Sequence, residues 1–191
     1  MRIGIIFFGL PRSTAVTMSS IERHIFDALA EHEIFVESCF AYQQSVSNPR
    51  SGESSPLADE NHQFFRSFPD RFLTPEELLD QPLHEALLSH GDSWDDGGAS
   101  LKNLMLQLKC LKLASSRCRA NKCDAYVFVR PDLLIENAIP IDEFLVQSRD
   151  VNSLMIPAWQ WWGGANDRFA VALPAAAELD SSFLEPEPET E

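Results

Sequence analysis

Arg130-Pro131-Asp132 sets a guanidinium and a carboxylate on either side of a proline, at the end of the run Ala125–Arg130. Proline cannot donate to a ladder and holds the residue before it extended, so Arg130 is expected at a strand's carboxyl end with Asp132 just past it. That edge is where open α/β sheets bind ligands. Arg12 stands in a second such place, in the stretch Gly9–Thr17 after an apolar run, where its guanidinium and nearby backbone amides could engage a phosphate or a base edge. Asn166-Asp167-Arg168 follow a segment holding Trp159, Trp161 and Trp162. Asp167 could take a proton from a hydroxyl as general base, and Trp161 or Trp162 could stack on a sugar face. Asn103 and Gln107, four apart on one helix face, could hydrogen-bond a ligand. Each has a plainer reading: a surface arginine paired with one of 29 acids, an Asn-Asp turn, a core tryptophan, a polar helix flank.

Several elements must position these groups. Ala125–Arg130, rich in aromatic and β-branched residues and too short for a helix, reads as a strand buried on both faces. Ile3–Phe8 reads as another, and the stretch Gly9–Thr17 leads from it into a helix expected to begin at a Ser19–Glu22 capping box, with Ile21, Ile25, Ala28 and Leu29 on its apolar face. Ile34–Tyr42 is expected as the second strand of a right-handed β-α-β unit. The longest helix spans Ala99–Ala120, with Leu101, Leu104, Met105, Leu108 and Leu111 predicted to pack on the sheet. Thr74-Pro75-Glu76-Glu77 reads as a helix start. A helix over Pro140–Val146, strands at Ser153–Ile156 and Arg168–Leu173, and a helix over Pro174–Leu184 complete the set. Residues 43–67 read as a mobile polar loop, and 185–191 as a disordered acidic tail on a single domain of residues 1–184. Asp95 and Asp96 read as a solvated acidic loop, with a divalent-ion site as the rival.

The totals narrow the classes. At 191 residues and 45% hydrophobic content the chain can bury a substantial core, and a formal net charge of −14 argues against binding nucleic acid or an anionic membrane. Cys39, Cys110, Cys118 and Cys123 show no CxxC pair, so reduced, buried thiols and a cytoplasmic location are expected. The five histidines have no metal-ligand spacing. Ile3–Leu10 is too short for a signal peptide, and no run approaches the ~20 apolar residues of an integral membrane segment.

Gly9-Leu10-Pro11-Arg12, the helix bearing Asn103 and Gln107, Arg130-Pro131-Asp132-Leu133 and Gly164–Ala170 occur in an order that resembles a family of small glycosyltransferase-like proteins found in bacterial surface-polysaccharide loci. The resemblance implies a nucleotide-diphospho-sugar transferase fold of the GT-A type: α/β, with one Rossmann-like, mostly parallel sheet and flanking helices. It implies a nucleotide-sugar donor, a carbohydrate or other hydroxyl acceptor, and Mn²⁺ or Mg²⁺ held by Asp132 against the donor diphosphate. Donor contacts then fall to Gly9, Arg12, Asn103, Gln107, Arg130, Asp132, Trp162, Asn166 and Arg168, and catalysis to Asp167. One departure stands out. The family's metal motif has two acids one residue apart, and its first position here is Arg130, so either Asp132 serves alone or Arg130 and Arg12 contact phosphate without a metal. Two rival readings remain: a sulfotransferase-like phosphosulfate loop at Gly9–Thr14, and a family member that binds nucleotide or sugar without turnover.

Overall fold

The computed structural model describes residues 1–41, 45–48, 53–56, 72–93, 95–148, 150–158 and 168–177. It is a mixed α/β fold whose sheet is built outward from β1 (Arg2–Gly9). Alternation along β1 sends Ile3, Ile5 and Phe7 to one face and Ile6 and Phe8 to the other, all buried, so both faces need covering. On the first face lies α1 (Thr14–Ile21), which continues through a π-helical turn, Glu22–Phe26, and a 3-10 turn, Asp27–Leu29, into β2 (Glu33–Ala41). β2 pairs parallel with β1 from Arg2 opposite Glu33 to Gly9 opposite Phe40.

From β2 the chain forms a two-stranded antiparallel ribbon, β3 (Ser45–Asn48) with β4 (Glu53–Pro56), and then β5 (Phe72–Leu73), a parallel edge strand beside β2. Three helices follow: α2 (Pro75–Leu78), α3 (Gln81–Leu88) and α4 (Ala99–Arg119), the last on the opposite face from α1. β6 (Ala125–Val129) then enters parallel on the other side of β1, with Ile3 opposite Ala125. After α5 (Ile141–Gln147), β7 (Leu154–Met155) and β8 (Phe169–Ala172) add antiparallel neighbours, in the order β5-β2-β1-β6-β8-β7. β1 therefore sits where the sheet changes direction of growth: β2 and α1 lie to one side and face, β6 and α4 to the other.

Several expectations change here. α1 begins at Thr14, five residues before Ser19, because Thr14, Thr17 and Met18 are buried against the sheet and Ser13 takes the cap position. Tertiary packing outweighs the local capping pattern. On α4 the buried face is Leu106, Cys110, Leu111, Ala114, Ser115 and Cys118, while Leu104 is 44% exposed. Of the predicted leucine stripe only Leu111 is buried. Small residues win the sheet-facing side because α4 lies close over β1: a Cβ on Gly4 would stand 2.6 Å from Cys118 Sγ and 2.8 Å from Tyr126 Cδ1. The ribbon Ser45–Asn48 with Glu53–Pro56 falls inside the stretch 43–67 read as loop, and β5 had no counterpart among the predicted strands. A two-residue strand carries too little pattern to be read.

The Thr74 start is a full capping box: Glu77 N–H donates to Thr74 Oγ1 at 3.4 Å and Thr74 N–H donates to Glu77 Oε2 at 2.8 Å. Yet α2 stops after one turn, and Asp80 caps a separate α3 by accepting from Leu83 N–H at 3.1 Å. The four cysteines are all thiols, and all are buried. Burial pushes the Cys118 and Cys123 thiols above the ordinary range, which disfavours the nucleophilic thiolate. No helix among the described residues is long and apolar enough to cross a membrane.

Candidate functional site

Two neighbouring parallel strands, β1 and β6, end side by side, and each delivers an arginine to one carboxylate. Arg130 follows the fully buried β6 and turns back on Asp132: its Nε donates to Oδ1 at 3.0 Å and its Nη2 to Oδ2 at 2.6 Å. This is a bidentate fork across a proline. Arg12, from the turn after β1, donates from Nε to Oδ2 of the same carboxylate at 2.9 Å. Gln107 on α4 accepts from Arg130 Nη1 at 3.1 Å, which fixes the second guanidinium edge.

The backbone around this cluster is pinned from three directions. Pro131 carbonyl accepts from Thr17 Oγ1 at 2.6 Å, Arg130 N–H donates to Arg168 carbonyl at 2.9 Å, and Ile135 N–H donates to Ser20 Oγ at 3.1 Å. Thr17 and Ser20 thus act as anchors that nothing in the sequence marks, beyond being hydroxyls in a helix that meets the sheet. Gly9 takes φ +98°, a region that suits glycine, and a Cβ there would meet Gln107 Cγ at 3.8 Å, so the turn that carries Arg12 needs its backbone rather than space.

Side-chain exposure is 7% for Asp132, 11% for Arg130 and 27% for Arg12, so exposure rises from the carboxylate outward. Burial alone would push the Asp132 carboxyl up, but the charges and hydrogen bonds of Arg130 and then Arg12 outweigh it and hold the group below the usual carboxylate range. Two guanidiniums thus meet one carboxylate, in a chain whose formal net charge is −14. Beside them α1 opens at Ser13 without a side-chain cap and without an acid in its first turn. Thr14 Oγ1, in the same turn, is buried with no hydrogen-bond partner among the described residues. The two guanidiniums thus gather at the sheet's carboxyl edge beside the start of α1.

The structure brings together Gly9, Arg12, Gln107, Arg130 and Asp132, with Arg168 joined through its carbonyl. Asn103 is exposed one turn earlier on α4. Asn166, Asp167, Trp161 and Trp162 lie outside the described residues. Asp96 serves the fold: it accepts from Ser100 Oγ at 2.6 Å and from Ser100 N–H, capping α4, while Asp92 Oδ2 accepts from the Asp96 and Gly98 N–H groups at 2.9 Å each.

Mg²⁺ and Mn²⁺ require several oxygen ligands. Both oxygens of Asp132 already accept from arginines, and no group of three or more His, Cys, Asp or Glu that could hold an ion occurs among the described residues. These residues do not fit a metal-held diphosphate.

No protein-family model matches the chain, and no curated protein does. Among solved structures it is similar to a galactosyltransferase, LgtC, in complex with donor and acceptor sugar analogs, at 12% identity and a TM-score of 0.35. That likeness covers 90% of this chain and 57% of the other, so the chain spans little more than half that protein's length.

Proposed function

We propose that this chain is a glycosyltransferase of the GT-A type whose donor diphosphate is held by Arg12 and Arg130 rather than by a metal. The observation that carries the reading is the convergence of Arg12 and Arg130 on Asp132 at the carboxyl edge between β1 and β6, beside the start of α1. The order of the sequence motifs agrees with it. Arginine is suited to the task because its planar fork contacts two phosphate oxygens at once and keeps its charge at any working pH.

In this reading Asp132 and Gln107 hold the guanidiniums in place before the donor arrives, so little reorganisation is needed as charge develops on the leaving group. An acceptor hydroxyl oxygen forms the new bond to the sugar's anomeric carbon while the bond from that carbon to the diphosphate breaks. The electron pair leaves with the nucleoside diphosphate against Arg12 and Arg130, and the hydroxyl proton passes to a base, for which Asp167 is the candidate. Asn103, Asn166 and Trp162 complete the proposed donor contacts.

Thermal unfolding with UDP, GDP, ADP, or adenosine phosphosulfate, each with EDTA and with Mn²⁺, tests the reading. A diphosphate at about 100 times its dissociation constant should stabilise by roughly 2.7 kcal/mol. The expected result is a shift with one nucleoside diphosphate that survives EDTA and is lost at the same concentration in Arg12→Ala. A shift only with the phosphosulfate, or none with any diphosphate, overturns the proposal; a shift that needs Mn²⁺ overturns its metal-free form.

A further inference from the structure

A threonine inside a helix ordinarily returns its hydroxyl to the carbonyl four residues back. Thr17 has that carbonyl, of Ser13, at 3.2 Å, but it already accepts from the Val16 and Thr17 N–H groups at 2.9 and 3.0 Å. The closer acceptor is the Pro131 carbonyl at 2.6 Å, 114 residues away in the chain. A hydroxyl has one hydrogen to give, and the shorter contact takes it out of the helix. Thr17 is 4% exposed, so the bond is sheltered from water that would replace it.

What that bond joins matters more than its strength. Pro131 stands between Arg130 and Asp132, and Thr17 closes the helical turn that begins at Ser13, the residue after Arg12. Three hydrogen bonds therefore complete a ring: Arg12 Nε to Asp132 Oδ2 at 2.9 Å, Thr17 Oγ1 to the Pro131 carbonyl at 2.6 Å, and Thr17 N–H to the Ser13 carbonyl at 3.0 Å. The two arginines are mounted differently. Arg130 belongs to the sheet, through β6, the Arg168 carbonyl and Gln107 on α4. Arg12 belongs to the turn that leads into α1, and Thr17 ties α1 to the peptide between the other two charged residues. Ser20, one turn further on, accepts from Ile135 N–H at 3.1 Å and donates to the Thr17 carbonyl at 2.6 Å. It is a second hydroxyl on the same helix that holds the same connection, but it lies outside the ring.

Resting on the transferase reading, we infer that Thr17 is a positioning residue for the donor: its hydroxyl fixes where Arg12 stands relative to Arg130, and so the spacing of the two guanidiniums that the diphosphate meets. Without that hydroxyl the ring opens on the α1 side, Arg12 loses its register with Asp132, and Arg130 keeps its fork.

The test compares Thr17→Val, which keeps the side chain's shape without its hydrogen, with Thr17→Ser, which keeps the hydroxyl, and Ser20→Ala, which removes the other anchor. Two quantities are read: the titration of the Asp132 carboxyl by ¹³C NMR without ligand, its resonance assigned with Asp132→Asn, and the binding of UDP, GDP and ADP by equilibrium dialysis. The same spectra report that each variant is folded. Should Thr17→Val not fold, Thr17→Ala, with a smaller and more helix-favouring side chain, takes its place. Arg130 and then Arg12 hold the Asp132 carboxyl below the usual range, so its midpoint is expected to rise toward the ordinary carboxylate value in Thr17→Val and to return in Thr17→Ser. Diphosphate binding is expected to be about tenfold weaker in Thr17→Val, the loss of one charge-assisted hydrogen bond, and within about twofold of wild type in Thr17→Ser and Ser20→Ala. An Asp132 midpoint that Thr17→Val leaves unchanged overturns the inference. So does an equal rise in Ser20→Ala, which would make both hydroxyls general anchors of the fold, and so does a raised midpoint with undiminished diphosphate binding. If no diphosphate binds wild type, the transferase reading fails and the donor role with it, while the Asp132 midpoint still decides whether Thr17 positions Arg12.

Discussion

Asp132 and Asp96 are both acids in short connections, and their partners separate them. Asp96 spends its oxygens on the Ser100 N–H and hydroxyl at the first turn of α4, a local bond four residues away. Asp132 takes one guanidinium from its own turn and another from Arg12, 120 residues earlier in the chain. A carboxylate that caps its own helix is explained by that helix. One that gathers side-chain cations from two segments at a sheet's carboxyl edge is not explained by its own turn.

The largest way to break this contrast is Asp132→Ala. Removing the carboxylate leaves Arg130, 11% exposed, without its bidentate partner, and stripping one member from a buried pair typically costs about 3–5 kcal/mol. Urea unfolding at pH 7 should show a loss of that size. A loss under 1 kcal/mol would mean that solvent already reaches Arg130 and that the cluster is not preorganised.

Acid gives a second, graded version of the same test. The Asp132 carboxyl is lower in the folded chain than its unfolded value of about 3.9, so the folded state binds the proton less readily. Its stabilisation is therefore complete above that unfolded value and is lost as pH falls through the lower folded one. The gap in urea midpoint between wild type and Asp132→Asn should stay constant from pH 7 to about 5 and narrow below about 4. A gap that does not change down to pH 3 would contradict the direction of the shift.

How much of this could be read from the chain depends on the range of the forces involved. Ala125–Arg130 and Ile3–Phe8 were legible because a strand buried on both faces is apolar throughout, and the Pro131 stop placed Arg130 and Asp132 at its end. The Thr74 box was legible because both of its bonds span three residues. The face of α4 was not. Leucine spacing marks an apolar stripe, but which stripe meets the sheet depends on how closely the helix approaches Gly4, and close approach favours Cys110, Ala114 and Cys118. The start of α1 failed similarly, since Ser19–Glu22 offers a local cap and burial of Thr14 and Thr17 moved the start earlier. At the site, types and edge position were readable, while the meeting of Arg12 and Asp132 required β6 to insert beside β1, which no local pattern states.

The smallest effect sharpens the contrast from the other side. Asp96→Ala removes the acceptor for Ser100 N–H and leaves the first turn of α4 to water, a change that in helix caps costs typically about 1 kcal/mol. Because that end of α4 is three turns from Cys110 and the cap touches neither Arg12 nor Arg130, the variant should unfold slightly earlier in urea yet keep the wild-type diphosphate shift. Should the shift disappear with so small a loss of stability, the acidic turn would belong to the ligand site after all, and the division drawn from the partners of the two aspartates would be wrong.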